Sequence, residues 1–194
     1  MDEKLRLLAN SFGLEKVKFN ETISNHTALK LGGKAKLFIV VIADREIIKL
    51  VDECRQLKVP FLLIGTGSKI AMSDNGFDGV IIKNRTQNIK ITSIKGKVSK
   101  TGVGVDSVVM EVESGVTMHK FVEFLKKQGL QSEEFESMTG SIGGNIFINR
   151  ALQEKCESIR VLNLDGEVEI IPIHELNLRK DIVLSVNLKV KSKL

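Results

Sequence analysis

Two glycine-rich stretches stand where hydrophobic runs end, and they constrain the fold of this chain more than any other feature. Phe61-Leu62-Leu63-Ile64 has the length and character of a buried strand, and it passes directly into Gly65-Thr66-Gly67-Ser68. Glycine at such a point lets the backbone turn sharply and lets N–H groups converge with no side chain in the way. Such a nest, with the Thr66 and Ser68 hydroxyls, can hold a pyrophosphate, and Lys69 adds a point charge. An ordinary strand-to-loop turn has the same composition. The third glycine of a Rossmann fingerprint is missing, because Ile70 occupies its place. Thr139-Gly140-Ser141-Ile142-Gly143-Gly144 repeats the chemistry later in the chain, with a tight turn between β pieces as its plain alternative. A dinucleotide lying between two lobes requires donors from both sides, and the pair of loops provides one set in each half.

The patterning around the loops predicts those halves. Leu5, Leu8 and Phe12 lie at helical spacing and stop at Gly13. A polar stretch leads to Gly32-Gly33 and a strand over Lys36 to Val41. Asp44 is the expected N-cap of a helix that uses Ile47, Ile48, Val51, Cys54 and Leu57. This β–α–β–loop order predicts an α/β lobe over 1–84 with some parallel pairing. From Asn84 to Glu113 the chain alternates in short β-rich pieces, with Gly96 as a turn. Thr117 then caps a helix built on Met118, Phe121, Val122 and Leu125 and closed by Gly129. Ile159 to Leu164, Asp165-Gly166 and Val168 to Ile171 form a hairpin signal, and Ile182 to Val190 is a last strand. Residues 85–194 are thus expected to form an α+β lobe packed on the first.

Composition excludes several function classes. Hydrophobic residues at 42% and charged residues at 27% support a globular core. The net charge is +5, which raises the question of nucleic acid. However, Lys90, Lys95, Lys97 and Lys100 are spread along a presumed hairpin, and Lys189, Lys191 and Lys193 alternate along a strand. Neither set is interleaved with aromatics able to stack bases, so no nucleic acid is expected. Cys54 and Cys156 share no metal or redox spacing, and His26, His119 and His174 lie far apart, so no metal is expected. The longest apolar run, Leu37 to Ala43, is far short of a membrane span. The charged start has no signal-peptide character. A cytoplasmic protein without membrane attachment is the expectation.

The motifs in sequence carry a resemblance. Phe61 to Ile64, then Gly65-Thr66-Gly67-Ser68-Lys69, a short apolar run, and Asp74-Asn75-Gly76-Phe77-Asp78-Gly79-Val80-Ile81-Ile82 resemble a signature of the UDP-N-acetylenolpyruvoylglucosamine reductase family. That signature is G-x-G-S-N followed by D-x-G-F-x-G-V-V-I. Upstream, His26-Thr27-Ala28-Leu29-Lys30-Leu31-Gly32-Gly33-Lys34-Ala35 resembles H-T-T-F-R-I-G-G-P-A. Downstream, Gly140-Ser141-Ile142-Gly143-Gly144-Asn145 resembles G-[ST]-V-G-G-A, and Ile148-Asn149 resembles M-N. The resemblance covers about residues 20 to 190. It implies an α+β, two-lobed FAD-binding fold of the vanillyl-alcohol oxidase (PCMH) type. It also implies cofactor contacts from Gly65, Thr66, Gly67, Ser68, Lys69, Ile70, Ser73 and Asp74, and from Thr139, Gly140, Ser141, Gly143, Gly144 and Asn145. The family passes a hydride from NADPH through the flavin to an enolpyruvyl UDP-sugar in peptidoglycan precursor synthesis, so the resemblance implies FAD, NADPH and a UDP-sugar as partners.

The departures fall where catalysis belongs. Ser137-Met138-Thr139-Gly140 replaces G-I-P-G, and Ile148-Asn149-Arg150-Ala151-Leu152-Gln153-Glu154 replaces M-N-A-G-A-Y-G. The family's Y-R-x-S-x-F motif is reduced to Leu178-Arg179-Lys180-Asp181, with Arg179 as the one candidate for its arginine. The sequence holds no Tyr. The resemblance places a substrate domain, with a Ser proton donor and a neighbouring Glu, after Leu194. The expectation is therefore a flavin-binding domain without that substrate domain and without full activity by itself. A partner chain supplying the missing part is one alternative; a stand-alone module that stores FAD or transfers electrons is another; a fold relic without flavin is the third.

Overall fold

A computed structural model describes residues 3–99, 102–177 and 179–193. The chain divides into two compact units, Met1–Thr86 and Gln87–Leu194.

The first unit contains α1 (Glu3–Phe12), β1 (Val17–Thr22), β2 (Lys34–Val41), α2 (Asp44–Gln56), β3 (Phe61–Ile64) and β4 (Phe77–Asn84). The strands form one sheet in the order β1-β2-β4-β3. β4 runs parallel to both β2 and β3, and β1 is antiparallel to β2. Side chains alternate across a strand, so β2 divides its apolar residues between two faces. Phe38 and Val40 join Ile64, Ile81, Leu62 and Phe77 beneath Ile23, Ile70 and Met72. The buried Leu37, Ile39 and Val41 point the other way, and α1 and α2 pack on β2. The amphipathic pattern explains both helices: α1 buries Leu5, Leu8, Ala9 and Phe12, and α2 buries Ile47, Leu50, Val51 and Cys54.

Three expectations for this unit need correction. The N-cap of α2 is Ala43, in extended backbone, and Asp44 is the first helical residue. Glu46 reaches back in its place and accepts a hydrogen bond from the Ile42 N–H at 2.7 Å, as an acidic side chain in the first turn can. Burial opposes the Glu46 charge, but that bond and the Lys16 ammonium still hold its carboxyl below the usual range. Phe61 to Leu63 are only half-buried, with Ile64 alone fully buried, because β3 is the edge of the sheet. Finally, the polar stretch after Gly13 contains a strand, β1.

The second unit contains β5 (Ile89–Ser99), β6 (Gly102–Glu113), α3 (Met118–Lys127), α4 (Ile142–Ile146), α5 (Arg150–Glu154), β7 (Cys156–Leu162), β8 (Val168–Ile171) and β9 (Ile182–Lys191). Its sheet has the order β5-β6-β9-β7-β8, with every neighbouring pair antiparallel. One apolar core joins α3 and α4 to β6, β7 and β9; in it Phe121 meets Phe135 edge-on at 5.4 Å between ring centroids. Thr117 caps α3 by accepting from the Lys120 N–H at 3.2 Å. Gly96 is not the turn expected of it: it pairs with Val105 inside β5, at a register shift beside Lys95. The ladder runs on to the pair Ser99 and Gly102, and Lys100 lies outside the described residues. Asp165-Gly166 does sit at the tip of its hairpin, with Gly166 at φ +86°.

The remaining single-residue expectations concern lysines and thiols. Lys189 and Lys193 pair with Glu157 and Glu133. Cys54 is buried and Cys156 half-buried, both as free thiols, and burial pushes them up to about 12 and about 11. Among the described residues no group of three His, Cys, Asp or Glu could hold a metal, and no helix is long and apolar enough to cross a membrane.

Candidate functional site

The loop that follows β3 is held from below by the segment that precedes β2. Gly67, at φ +80°, accepts a hydrogen bond from the Ala28 N–H at 3.1 Å. A Cβ added to it would stand 2.0 Å from the His26 carbonyl oxygen. The glycine is therefore required by the chain's packing on itself, before any ligand arrives. Thr66 and Ser68 stand on either side of it. Thr66 Oγ1 donates to Ser68 Oγ at 3.1 Å, and the Ser68 N–H donates to Thr66 Oγ1 at 3.4 Å.

The supporting segment is itself tightly specified. Buried Thr27 donates through Oγ1 to the Leu31 carbonyl at 2.9 Å. The His26 ring stacks on Phe38 with 4.2 Å between centroids, and its Nε2 lies 2.8 Å from Glu21 Oε1. That hydrogen bond holds the Glu21 carboxyl below its ordinary range. The Gly32 N–H donates to Asp74 Oδ1 at 3.1 Å, and the Gly33 N–H donates to the Ser73 carbonyl at 3.0 Å. A Cβ on Gly33 would lie 2.1 Å from the Asp74 carbonyl oxygen. Ser73 and Asp74 therefore tie the end of the loop to Gly32-Gly33, and Ile70 packs on the sheet between these ties. His26 to Gly33 and Gly65 to Gly76, separate motifs in sequence, form one structure.

The second glycine stretch differs from the first, contrary to the expectation of shared chemistry. Ser141 is the N-cap of α4, and Gly143 and Gly144 lie inside that helix. The Ile142 N–H donates to the Val116 carbonyl at 2.8 Å and the Gly143 N–H to the Ser114 carbonyl at 2.8 Å. The Gly144 N–H donates to Ser141 Oγ at 3.4 Å. These amides are bonded within the chain and do not form a nest. A Cβ on Gly143 would come within 2.9 Å of Ser114 Cβ. Asn145, 1% exposed, donates through Nδ2 to the Thr139 and Ser141 carbonyls, both at 2.9 Å. Thr139 is exposed, and Gly140, at φ +99°, turns the chain into the cap.

The weaker candidates are on the surface. Arg179 is exposed in a short turn where Asn177 Oδ1 accepts its N–H at 3.0 Å; Leu178 beside it lies outside the described residues. His119 and His174 are exposed beside Glu123 and Glu175. Lys69 is exposed, with its pKa lowered by partial burial.

One residue escaped the sequence reading. Lys83, next to the last residue of β4, is only 5% exposed. Burial, with the Arg85 charge beside it, brings it down to about 8. The only sequence signal is a lysine closing the apolar run Val80-Ile81-Ile82.

The donor set of the first loop fits an anion. It offers two hydroxyls and a lysine, and residues 65–72 contain no carboxylate. The position fits a cofactor as well, since ligands of open α/β sheets bind beyond the carboxyl ends of parallel strands, where β3 delivers the loop. Residues 35–171 match the family described as FAD binding domain. This chain belongs to that family. FAD is the cofactor of the domain, and the resemblance read from the motifs holds along almost its whole length. A UDP-N-acetylenolpyruvoylglucosamine reductase of Lachnoclostridium phytofermentans is 29% identical over 182 residues, covering 90% of this chain and 56% of the relative. The reductase of Desulforamulus reducens is 30% identical over 167 residues, covering 83% and 51%. The chain thus spans about half the length of these relatives. Among solved structures, the reductase from Thermus caldophilus aligns with a TM-score of 0.66 at 20% identity, over 90% of this chain and 62% of that one. p-Cresol methylhydroxylase aligns with a TM-score of 0.68 at 13% identity, over 98% and 43%. The FAD-binding domain therefore has the α+β fold of the vanillyl-alcohol oxidase type that its motifs implied.

Proposed function

We propose that this domain holds FAD by its pyrophosphate on the loop from Gly65 to Lys69 and serves a reductase of the UDP-N-acetylenolpyruvoylglucosamine type. The observation that carries this reading is the fixed loop itself. Gly67 is bonded to Ala28 and walled by the His26 carbonyl, so Thr66 and Ser68 keep one geometry without help from a ligand. In this reading Thr66, Ser68 and Lys69 contact phosphate directly. Ile70, Ser73 and Asp74 hold the loop, and Thr139 and Gly140 offer contacts from the second glycine stretch. Ser141, Gly143, Gly144 and Asn145 shape that stretch and bind no phosphate through the amides already bonded.

When bound, the flavin supplies hydride chemistry, accepting from NADPH and passing to an enolpyruvyl UDP-sugar. The 194 residues here fix and shield the cofactor. The proton that must reach the substrate's other carbon comes from residues outside them, on the same chain or on a partner. Support for that division is chemical: the sequence has no Tyr, His119 and His174 are solvated, and Arg179 stands in an exposed turn. General acid catalysis contributes on the order of a hundred- to ten-thousandfold, so these residues alone turn over little substrate. A cytoplasmic setting follows from the same reading, since NADPH and UDP-sugars are held there.

The test is titration of the purified chain with FAD, followed by NADPH oxidation with and without the enolpyruvyl sugar. Stoichiometric FAD binding and slow, sugar-independent NADPH oxidation are expected. Failure to bind FAD refutes the reading. Muramate formed at ordinary enzymatic turnover refutes the division of labour. Electron transfer to an added acceptor at a rate far above that to the sugar replaces the reductase role with that of an electron-transfer module.

A further inference from the structure

A buried lysine with no anion beside it calls for an explanation. Lys83 is 5% exposed, and among the described residues no carboxylate, carbonyl or hydroxyl is bonded to it. Among the described residues, the neighbouring charge that lowers its pKa is another cation, Arg85. Holding an ammonium largely out of water without a protein partner is costly, and the Lys83 Nζ keeps only a residual contact with solvent. A methionine or leucine in this place would cost nothing of the kind.

The topology locates the charge. In the sheet register Lys83 lies opposite Val40 of β2 and Ile64 of β3. Ile64 is the residue immediately before Gly65. Neighbouring strands are about 4.8 Å apart, so the loop from Gly65 to Ser68 begins one strand spacing away, within reach of a lysine side chain. Alternation places Lys83 on the same face as Ile81, the face on which Ile70 and Met72 of that loop pack. Two cations thus gather at the carboxyl end of the parallel strands, beside a loop of hydroxyls that contains no acid.

We propose that Lys83 is a further cofactor-binding residue, the buried cation that neutralises the FAD pyrophosphate held on the Gly65 to Lys69 loop. The proposal rests on the FAD reading above and adds to it. Lys69 is exposed at the end of the loop, whereas Lys83 stands in the sheet behind it. A phosphate there would supply Lys83 with the partner that the protein does not. The lowered pKa of the group, about 8, is what a site waiting for an anion should show.

The experiment compares the parent chain with Lys83→Met and Lys83→Gln in three titrations: FAD, ADP and riboflavin, the last lacking the pyrophosphate. Charge-assisted hydrogen bonds to a phosphate lead us to expect FAD and ADP dissociation constants about ten- to a hundredfold higher in both variants. Riboflavin binding should stay within about twofold. The urea midpoint of apo Lys83→Met should equal or exceed that of the parent, since an unpaired buried charge has been removed. A parent that binds FAD, with variants that bind it within about threefold, overturns the role of Lys83 and leaves the FAD reading standing. Equal losses for riboflavin and FAD, or a lowered apo midpoint in both variants, also overturn it, since Lys83 would then act on the ring or on the fold. A parent that takes up no FAD removes the underlying reading and this one with it.

Discussion

Gly67 and Gly13 offer a controlled comparison of two causes for one residue type. Their φ angles are nearly equal, +80° and +81°, so an alanine at either place suffers backbone strain of about 1–3 kcal/mol. They differ in what the new methyl would meet. At Gly13 it would meet the Glu15 carboxylate at 2.6 Å, the end of a flexible and exposed side chain that can swing aside. At Gly67 it would meet the His26 carbonyl oxygen at 2.0 Å, against 3.4 Å for the closest ordinary contact. The shortfall is 3.4 − 2.0 = 1.4 Å, and the backbone must move to make it up. That movement breaks the Ala28–Gly67 hydrogen bond, worth about 1 kcal/mol. It also shifts Ile70 against the sheet, with a repacking cost of about 1–3 kcal/mol. Gly67→Ala should therefore be less stable than Gly13→Ala by about 2–4 kcal/mol. With a urea slope near 2 kcal/mol/M, this is a difference in midpoint on the order of 1–2 M. The chain has no Trp or Tyr, so circular dichroism is the suitable probe. Gly67→Ala should also lose FAD, while Gly13→Ala keeps it. Midpoints within about 0.2 M of each other would refute the argument that the loop is walled by its own backbone.

Two further outcomes follow from the second unit and from Lys83. Asn145→Ala leaves the Thr139 and Ser141 carbonyls without their shared donor; a loss of about 2 kcal/mol is expected, read as a lower urea midpoint, and an unchanged midpoint would refute it. Burial, aided by Arg85, lowers Lys83 from 10.5 to about 8, so the folded apo chain holds fewer protons than the unfolded chain between those values. Stability therefore rises with pH through that window, and the full cost of the buried charge is felt below it. Lys83→Met should lose this part of the rise; midpoints of parent and variant that change in parallel across the window would refute the assignment.

What the sequence made legible was what local chemistry decides. α3 could be read in full because Thr117 supplies its cap and Met118, Phe121, Val122 and Leu125 recur at helical spacing, all of them buried. β1 was hidden because Lys18, Asn20 and Glu21 mask its apolar Val17 and Phe19, and Asn20 adopts φ +53°. Gly143 and Gly144 read as a loop, since glycine disfavours helix; Ser141 as the cap and Ser114 as the close neighbour hold the helix against that preference. The loop after β3 was singled out by its glycines, and Gly67 does make the sharp turn expected of it; what the sequence did not show is that the nearest obstacle to a Cβ there is the His26 carbonyl, a contact between motifs that sequence order keeps apart. Lys83 was out of reach altogether. A lysine at a strand end reads as solvated, and only the placement of β4 between β2 and β3 buries it.

The connection from β3 to β4 has a consequence for how this domain can vary. The two strands are adjacent and parallel, so the chain must return the length of the sheet to start the second. Such a return is usually made by a helix. Here the segment between Ile64 and Phe77 makes it, anchored at Gly67 by Ala28, seated on the sheet by Ile70 and Met72, and anchored again where Gly32 and Gly33 meet Asp74 and Ser73. Surface loops ordinarily absorb insertions at small cost. This one is a measured strap with fastenings at both ends, and an added residue has no slack to occupy. Length changes in relatives, and affinity tags or reporter segments in engineered versions, belong instead at the turn around Asp165 and Gly166, where a Cβ on Gly166 would meet nothing within 4 Å.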